Sequence, residues 1–184
     1  NIPKHVANAI SANGDHTCSL GANGQLVCWG SDARGANAFP AGAMRTLDLG
    51  QFNGCAVRSS GEGACWGWNA NRQNVAPAAR YRQIATGLNH SCGLLDDGRI
   101  ACWGYDADGQ ASVRSAHGRR DDDDDQGHDD DDDDEDEDDE DDSGRGGTSK
   151  GLYRTVDVGE RHSCAINIRG ALKCWGLGSE GQTM

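Results

Sequence analysis

Cysteine and histidine are the reactive residues of this 184-residue chain, which holds eight of the first and six of the second. The cysteines form four pairs, Cys18/Cys28, Cys55/Cys65, Cys92/Cys102 and Cys164/Cys174, with nine residues between the members of each. Two chemistries use such pairs, a disulfide or a thiolate zinc site. Zinc fits poorly, because no C-x-x-C occurs and every second cysteine is followed by Trp-Gly. His16, His90 and His162 each stand two residues before a first cysteine. Their recurrence in phase assigns each to its own unit, as a structural residue rather than a metal ligand. Trp29, Trp66, Trp103 and Trp175 recur in the same way and read as core. No G-x-S-x-G, H-E-x-x-H or P-loop is present. With every cysteine paired there is no thiol nucleophile, so the chain reads as no enzyme and as needing no cofactor.

The elements that hold the pairs repeat. The first cysteines step by 37, 37 and 72 residues, and 72 is one period plus 35. A fixed period of this size signals a solenoid, propeller or array. Before each first cysteine the pattern alternates as in a strand: Ile10/Ala12, Leu47/Leu49, Ile84/Thr86 and Val156/Val158. Gly50, Gly87 and Gly159 follow, with Asn13 in the first copy, residues that tolerate positive φ. Gly24, Gly61, Gly98 and Gly170 stand four before each second cysteine. Placing them at the left-handed position of a three-residue hairpin loop makes Ala22-Asn23-Gly24 the first loop and puts Cys18 opposite Cys28. Opposed residues of a hairpin lie within disulfide reach. We therefore expect disulfides 18–28, 55–65, 92–102 and 164–174, and with them an oxidising, extracellular or secreted setting.

Charge divides the chain. Nineteen of the residues Asp121–Asp142 are acidic, and without them 11 acidic residues face 17 basic ones. The net charge of −13 is thus a mildly basic body carrying one acidic tract. Residues 117–150 read as a disordered acidic insert, flanked by repeats one to three in 1–116 and repeat four in 151–184, all one propeller-like domain. The tract 121–142 is a candidate for loose calcium binding or for a basic protein partner. Leu, Ile, Val and Phe supply only 25 residues, so tryptophan and disulfides must replace large aliphatics in the core. No apolar run reaches membrane-spanning length.

The pattern G-x-x-H-[S/T]-C…G…C-W-G-x4-G-Q resembles the repeat of the regulator-of-chromosome-condensation family of β-propellers. It is carried by Gly87, His90, Ser91, Cys92, Gly98, Cys102, Trp103, Gly104, Gly109 and Gln110, and again from Gly159 to Gln182. The cysteine-bearing version is similar to secreted bacterial members and to the propellers of crinkly-type plant receptor kinases. The second repeat departs, with Asn53-Gly54 for His-Ser/Thr and Arg72-Gln73 for Gly-Gln, and the first has Gly35-Ala36. The resemblance implies an all-β propeller or propeller-like array. Such a family usually has about seven blades, against four here.

Four repeats leave open strand edges. The N-terminal segment near Val6–Ala12 supplies the last blade's missing strand, or the open end accepts the next chain head to tail, or the sequence is a piece of a longer propeller. We expect an extracellular interaction or structural module that binds other copies of itself. The family's alternative, nucleotide exchange and chromatin binding, sits badly with paired cysteines and an acidic tract, and no nucleic-acid partner is expected. Trp68 and Tyr105 follow C-W-G where other repeats have Ser31 and Leu177, and are candidate partner contacts. Asn89-His90-Ser91 is a glycosylation sequon. Asp106 and Asp108 sit in a weak D-x-D-G calcium pattern.

Overall fold

A computed structural model describes residue 4 and residues 6–113, 147–149 and 151–184. The acidic tract 121–142, with the calcium and partner readings attached to it, lies outside the described residues.

Among the described residues, twelve strands form four separate antiparallel sheets of three, one per repeat. The first blade is β1 (Ala7–Asn13), β2 (His16–Gly21) and β3 (Leu26–Gly30). The second is β4 (Met44–Leu49), β5 (Asn53–Arg58) and β6 (Gly63–Gly67). The third is β7 (Tyr81–Thr86), β8 (His90–Leu95) and β9 (Ile100–Gly104). The fourth is β10 (Tyr153–Val158), β11 (His162–Asn167) and β12 (Leu172–Gly176).

The expected register holds throughout. Cys18 faces Cys28, Cys55 faces Cys65, Cys92 faces Cys102 and Cys164 faces Cys174. All four disulfides are formed, with Cα–Cα distances of 4.0–4.1 Å. The two members of a pair are not always equally covered. Cys55 is fully buried, whereas its partner Cys65 is half-buried at the margin of the cluster between the second and third blades. The hairpin loop of the first blade closes where the sequence places it, with Gly21 N donating to Gln25 O at 2.9 Å. Gly24, Gly61, Gly98 and Gly170 all have positive φ, between +78° and +98°. Arg72, which replaces glycine at the Gly35, Gly109 and Gly181 position, adopts the same left-handed conformation (φ 60°).

The glycines after the first strands behave differently. Gly50, Gly87 and Gly159 do not have positive φ, which corrects the sequence reading. Gly50 and Gly87 are required because neighbouring blades touch there through bare backbone, whereas a Cβ on Gly159 would meet the ring of His162 in its own blade at 2.4 Å. A Cβ on Gly50 would lie 2.1 Å from Gly87 O, and one on Gly87 would lie 2.4 Å from Gly159 O.

The first strands β1, β4, β7 and β10 pack side by side and form the inner edge of the array. Nothing comparable joins β10–β12 to β1–β3, so the array is an open arc. The segment near Val6–Ala12 does not complete the fourth blade: β1 pairs with β2 in the first. The flank of the insert is part of the third blade, because Thr148 bridges Ala101 of β9 and Ser149 N donates to Ile100 O at 2.8 Å. Among the described residues no helix is long and apolar enough to cross a membrane.

The core lies between blades. One cluster joins Cys92, Leu94, Ile100 and Cys102 of the third blade to Tyr153, Val156, Ala165 and Trp175 of the fourth. Each blade thus has a disulfide face turned to its successor and a tryptophan face turned to its predecessor.

Candidate functional site

The three internal junctions share one design. The indole of each following blade donates to a main-chain carbonyl in the preceding loop: Trp66 to Ala36 O at 2.9 Å, Trp103 to Gln73 O at 2.8 Å, and Trp175 to Gln110 O at 2.9 Å. The first residue of each following blade donates to the hairpin glycine before it: Met44 N to Gly24 O, Tyr81 N to Gly61 O and Tyr153 N to Gly98 O, at 2.7–2.8 Å. A side chain on the inner strand receives the next blade's amide, Ser11 Oγ from Leu49 N at 3.1 Å and Asp48 Oδ2 from Thr86 N at 2.7 Å.

At the third junction a histidine adds a further bond. Ser163 Oγ donates to Gln110 O at 3.0 Å, so it accepts from His90 Nε2 at 2.9 Å. The bond therefore places a proton on His90 Nε2. His16 cannot repeat the bond because Gly54 stands where Ser163 does, and His16 Nε2 has no partner. Burial, the largest influence, pushes His90 down to about 4, against a smaller raising effect of Asp106. Burial pushes Asp48 up to about 6, opposed by its bond from Thr86 N.

These two groups give stability opposite pH slopes. Unfolded His90 takes a proton near pH 6.5 while the folded one resists to about 4, so its contribution is lost as pH falls through that window. Folded Asp48 holds its proton to about pH 6 while the unfolded one releases it near 3.8, so its contribution grows as pH falls through the same range. His90→Asn, the residue that stands at this place as Asn53, should remove a loss on the order of 3 kcal/mol between pH 7 and pH 4. Asp48→Asn should steepen that loss. Urea midpoints measured across this range check both, and a His90→Asn profile parallel to wild type would refute the assignment.

At the two ends of the arc the halves of this junction are unmatched. On the first blade Ile10 is 68% exposed, while its counterparts Ile84 and Val156 are 2% and 0% exposed. On the fourth blade Ile166 and Leu172 are 38% and 70% exposed, while Leu94 and Ile100 are 3% and 0% exposed. Thr155, Asp157, Cys164, Ile166 and Leu172 line a concavity of about 520 Å³ on this end face. The remaining acceptors are there as well: the carbonyls of Gly170 and Gln182 occupy the places of Gly98 and Gln110. The matching donors, Trp29 Nε1 and Ala7 N, belong to the first blade.

The sequence candidates take other places. Trp68 packs edge-on against Phe52, with ring centroids 6.2 Å apart, and the Arg34 guanidinium lies 4.2 Å from its ring. It joins the loops of the first and second blades. Tyr105 is 39% exposed on the loop edge. Asn89 receives Asn71 Nδ2 at 3.2 Å, and the sequon's Ser91 is buried, donating to Gln73 O. Asp106 Oδ1 accepts the amides of Ala111 and Ser112, as Asp32 and Asn69 accept theirs from Asn37 and Asn74. Asp108 is paired with Arg161 at 2.8 Å. Both carboxylates are thus used by the turn and the rim, and no His/Cys/Asp/Glu group among the described residues is arranged for a metal. The end-face residues Ile10, Ile166 and Leu172 escaped sequence reading, since their types match buried positions elsewhere.

Comparison with known proteins agrees with this geometry. The family model of the regulator of chromosome condensation (RCC1) repeat matches residues 8–36, 81–110 and 153–182. The unmatched second repeat is the one with Asn53-Gly54 and Arg72. No curated protein matches the sequence. Among solved structures the chain is similar to yeast RCC1 (Prp20) bound to Kap60, at TM-score 0.70 and 16% identity, covering 97% of this chain and 45% of that one. It is similar to Prp20p of Saccharomyces cerevisiae at TM-score 0.71 and 16% identity, covering 100% and 48%. The CRINKLY ectodomain of the Arabidopsis thaliana receptor kinase ACR4 gives TM-score 0.60 and 15% identity, covering 94% and 50%. The chain spans half or less of the length of these structures, and likeness at such identity shows the fold alone.

Proposed function

We propose that this chain, an array of RCC1-type repeats stapled by disulfides, is a protein-interaction module of an oxidising, extracellular setting that joins other copies of itself head to tail. The RCC1-like propeller fold supports interaction with proteins as the general role; Prp20 is a relative of this fold solved with a bound protein, Kap60. The observation that carries the finer reading is the pair of end faces. One presents the disulfide half of an inter-blade junction and the other presents the tryptophan half, so the two are complementary rather than alike. A contact between unlike surfaces adds copies head to tail, closing a ring where the rotation per copy allows it and growing a filament where it does not.

The test uses two variants. Leu172→Arg places a charge on the fourth blade's face, and Ile10→Arg places one on the first blade's face. Both side chains are exposed in the single chain, so neither change should lower the melting temperature by more than about 2 °C. By light scattering the wild type should grow in mass with concentration, and each variant alone should remain a monomer. Mixed together, they should form a dimer and stop there, because one intact face of each kind remains. A wild type that stays monomeric at high concentration, or variants that still assemble alone, would defeat the reading.

A further inference from the structure

Charge is sorted between the two edges of the arc. The hairpin-turn edge, with the starts of the inner strands, carries seven arginines against three acidic side chains. The opposite edge, built from the loops after C-W-G and the turns before the first cysteines, carries three arginines against six acidic side chains. The body is therefore bipolar.

The positive edge has a focus. Asp96, on the hairpin turn of the third blade, gathers three guanidinium groups. Arg80 Nε lies 3.3 Å from its Oδ2, Arg45 Nη2 lies 3.8 Å from its Oδ1, and Arg82 donates to its main-chain oxygen. Arg45 also donates to Tyr81 O, which ties the second blade to the third. Arg45 and Arg82 sit at the register shifts of β4 and β7, and Arg154 sits at that of β10. Such a bulge redirects a side chain that regular pairing would alternate into a sheet face. Asp97 beside Asp96 also faces Arg82 but is paired with Arg99 at 2.8 Å, so two carboxylates meet four guanidinium groups, and Arg45 and Arg80 remain 43% and 68% exposed. Clustered arginines with spare donors are the usual recognition device for carboxylate-rich peptides.

We propose that the Arg45/Arg80/Arg82 cluster binds an acidic peptide, and that its occupant is the chain's own tract Asp121–Asp142. Three observations select that occupant. The tract concentrates 19 carboxylates, and the body without it is net positive. It is rooted on the same blade as Asp96, between Val113 and Gly147; Gly147 lies beside Cys102 and residues 147–149 run from there toward the hairpin turn, so the root is at the end of β9 farther from Asp96. The 33 residues from 114 to 146 can extend on the order of 50 Å out and back, which exceeds the length of a five-residue strand at roughly 3.3 Å per residue. The inference is independent of head-to-tail assembly and goes beyond it.

The experiment uses the full chain in the Leu172→Arg background, so that assembly does not enter. A fluorescent peptide of residues 121–142 is titrated by anisotropy at low salt onto three forms. These are the chain itself, the chain with its acidic residues between 121 and 142 changed to Asn and Gln, and that neutral-tract chain with Arg45, Arg80 and Arg82 changed to Ala. The neutral-tract chain should bind the peptide at least tenfold more tightly than the chain with its own tract in place. The three arginine changes should abolish that gain, and 0.5 M salt should do so too. Equal affinity for the first two forms overturns occupancy by the chain's own tract. Retained affinity after the arginine changes overturns the site. Unchanged melting and four intact disulfides, checked by mass spectrometry, show that each form is folded.

Discussion

Reduction of the four disulfides is expected to unfold the arc at room temperature without denaturant. Each bond spans ten residues of sequence and ties two strands of one hairpin. Closing a loop of that size removes about 2.8 kcal/mol of denatured-state entropy in the chain-entropy model, so four remove about 11 kcal/mol. That is the size of the whole stability of a typical domain, roughly 5–15 kcal/mol. This chain has little to set against the loss, because its three junctions bury Trp66, Trp103 and Trp175 against the disulfides of the preceding blades where other proteins bury leucines. The order of loss should follow exposure. Cys92 and Cys102 are both fully buried between blades, and Cys55 shields the bond it makes with half-buried Cys65, whereas Cys164 and Cys174 are both partly exposed on the end face. Alkylation mapped by mass spectrometry during a dithiothreitol titration should find Cys164–Cys174 opened first. Circular dichroism and tryptophan fluorescence should then collapse together as the inner bonds open. A native spectrum with eight free thiols would sink both the energetic account and the case for an oxidising compartment.

The parts legible in the sequence are those with a local cause. The cysteine register follows from a hairpin glycine four residues away, and the four sheets follow from a 37-residue period. What could not be read depends on contacts across blades. Gly50 and Gly87 looked like turn residues, yet their need comes from the backbone of the next blade, 37 or 72 residues on. The bond from His90 to Ser163 spans 73 positions, and no window of sequence contains it. The end faces were hidden for a related reason. Ile166 and Leu172 have the same types as buried Leu94 and Ile100, and only the missing neighbour makes them a surface. The weak calcium pattern at Asp106 and Asp108 coincides with the repeat's own turn, and the turn uses Asp106: Asp32 and Asn69 accept amides at the same repeat position, and an uncharged Asn among them shows that this role needs an acceptor rather than a charge.

Gly50→Ala isolates the cross-blade contact. Its new methyl would meet Gly87 O at 2.1 Å and Asn53 Oδ1 at 2.6 Å. The first of these is backbone, held by Gly87 N donating to His90 O at 2.9 Å within its own blade, so it cannot turn aside as a side chain would. The junction must open instead, and opening separates Asp48 from Thr86 N, Trp103 from Gln73 O and Tyr81 N from Gly61 O together. We expect a loss of about 4 kcal/mol or more, at the upper end for a single substitution. Gly109→Ala is the matched control. It has positive φ (+74°), but nothing lies within 4 Å of its Cβ position, so conformational strain alone should cost about 1–2 kcal/mol. Hydrogen exchange separates the two effects. Gly50→Ala should raise exchange at Thr86 N and Tyr81 N while leaving the β8–β9 ladder protected, because blades are separate sheets joined through their faces. Uniform loss of protection across all four blades would mean that the arc unfolds as one unit, and that its junctions and sheets are not separable layers of stability.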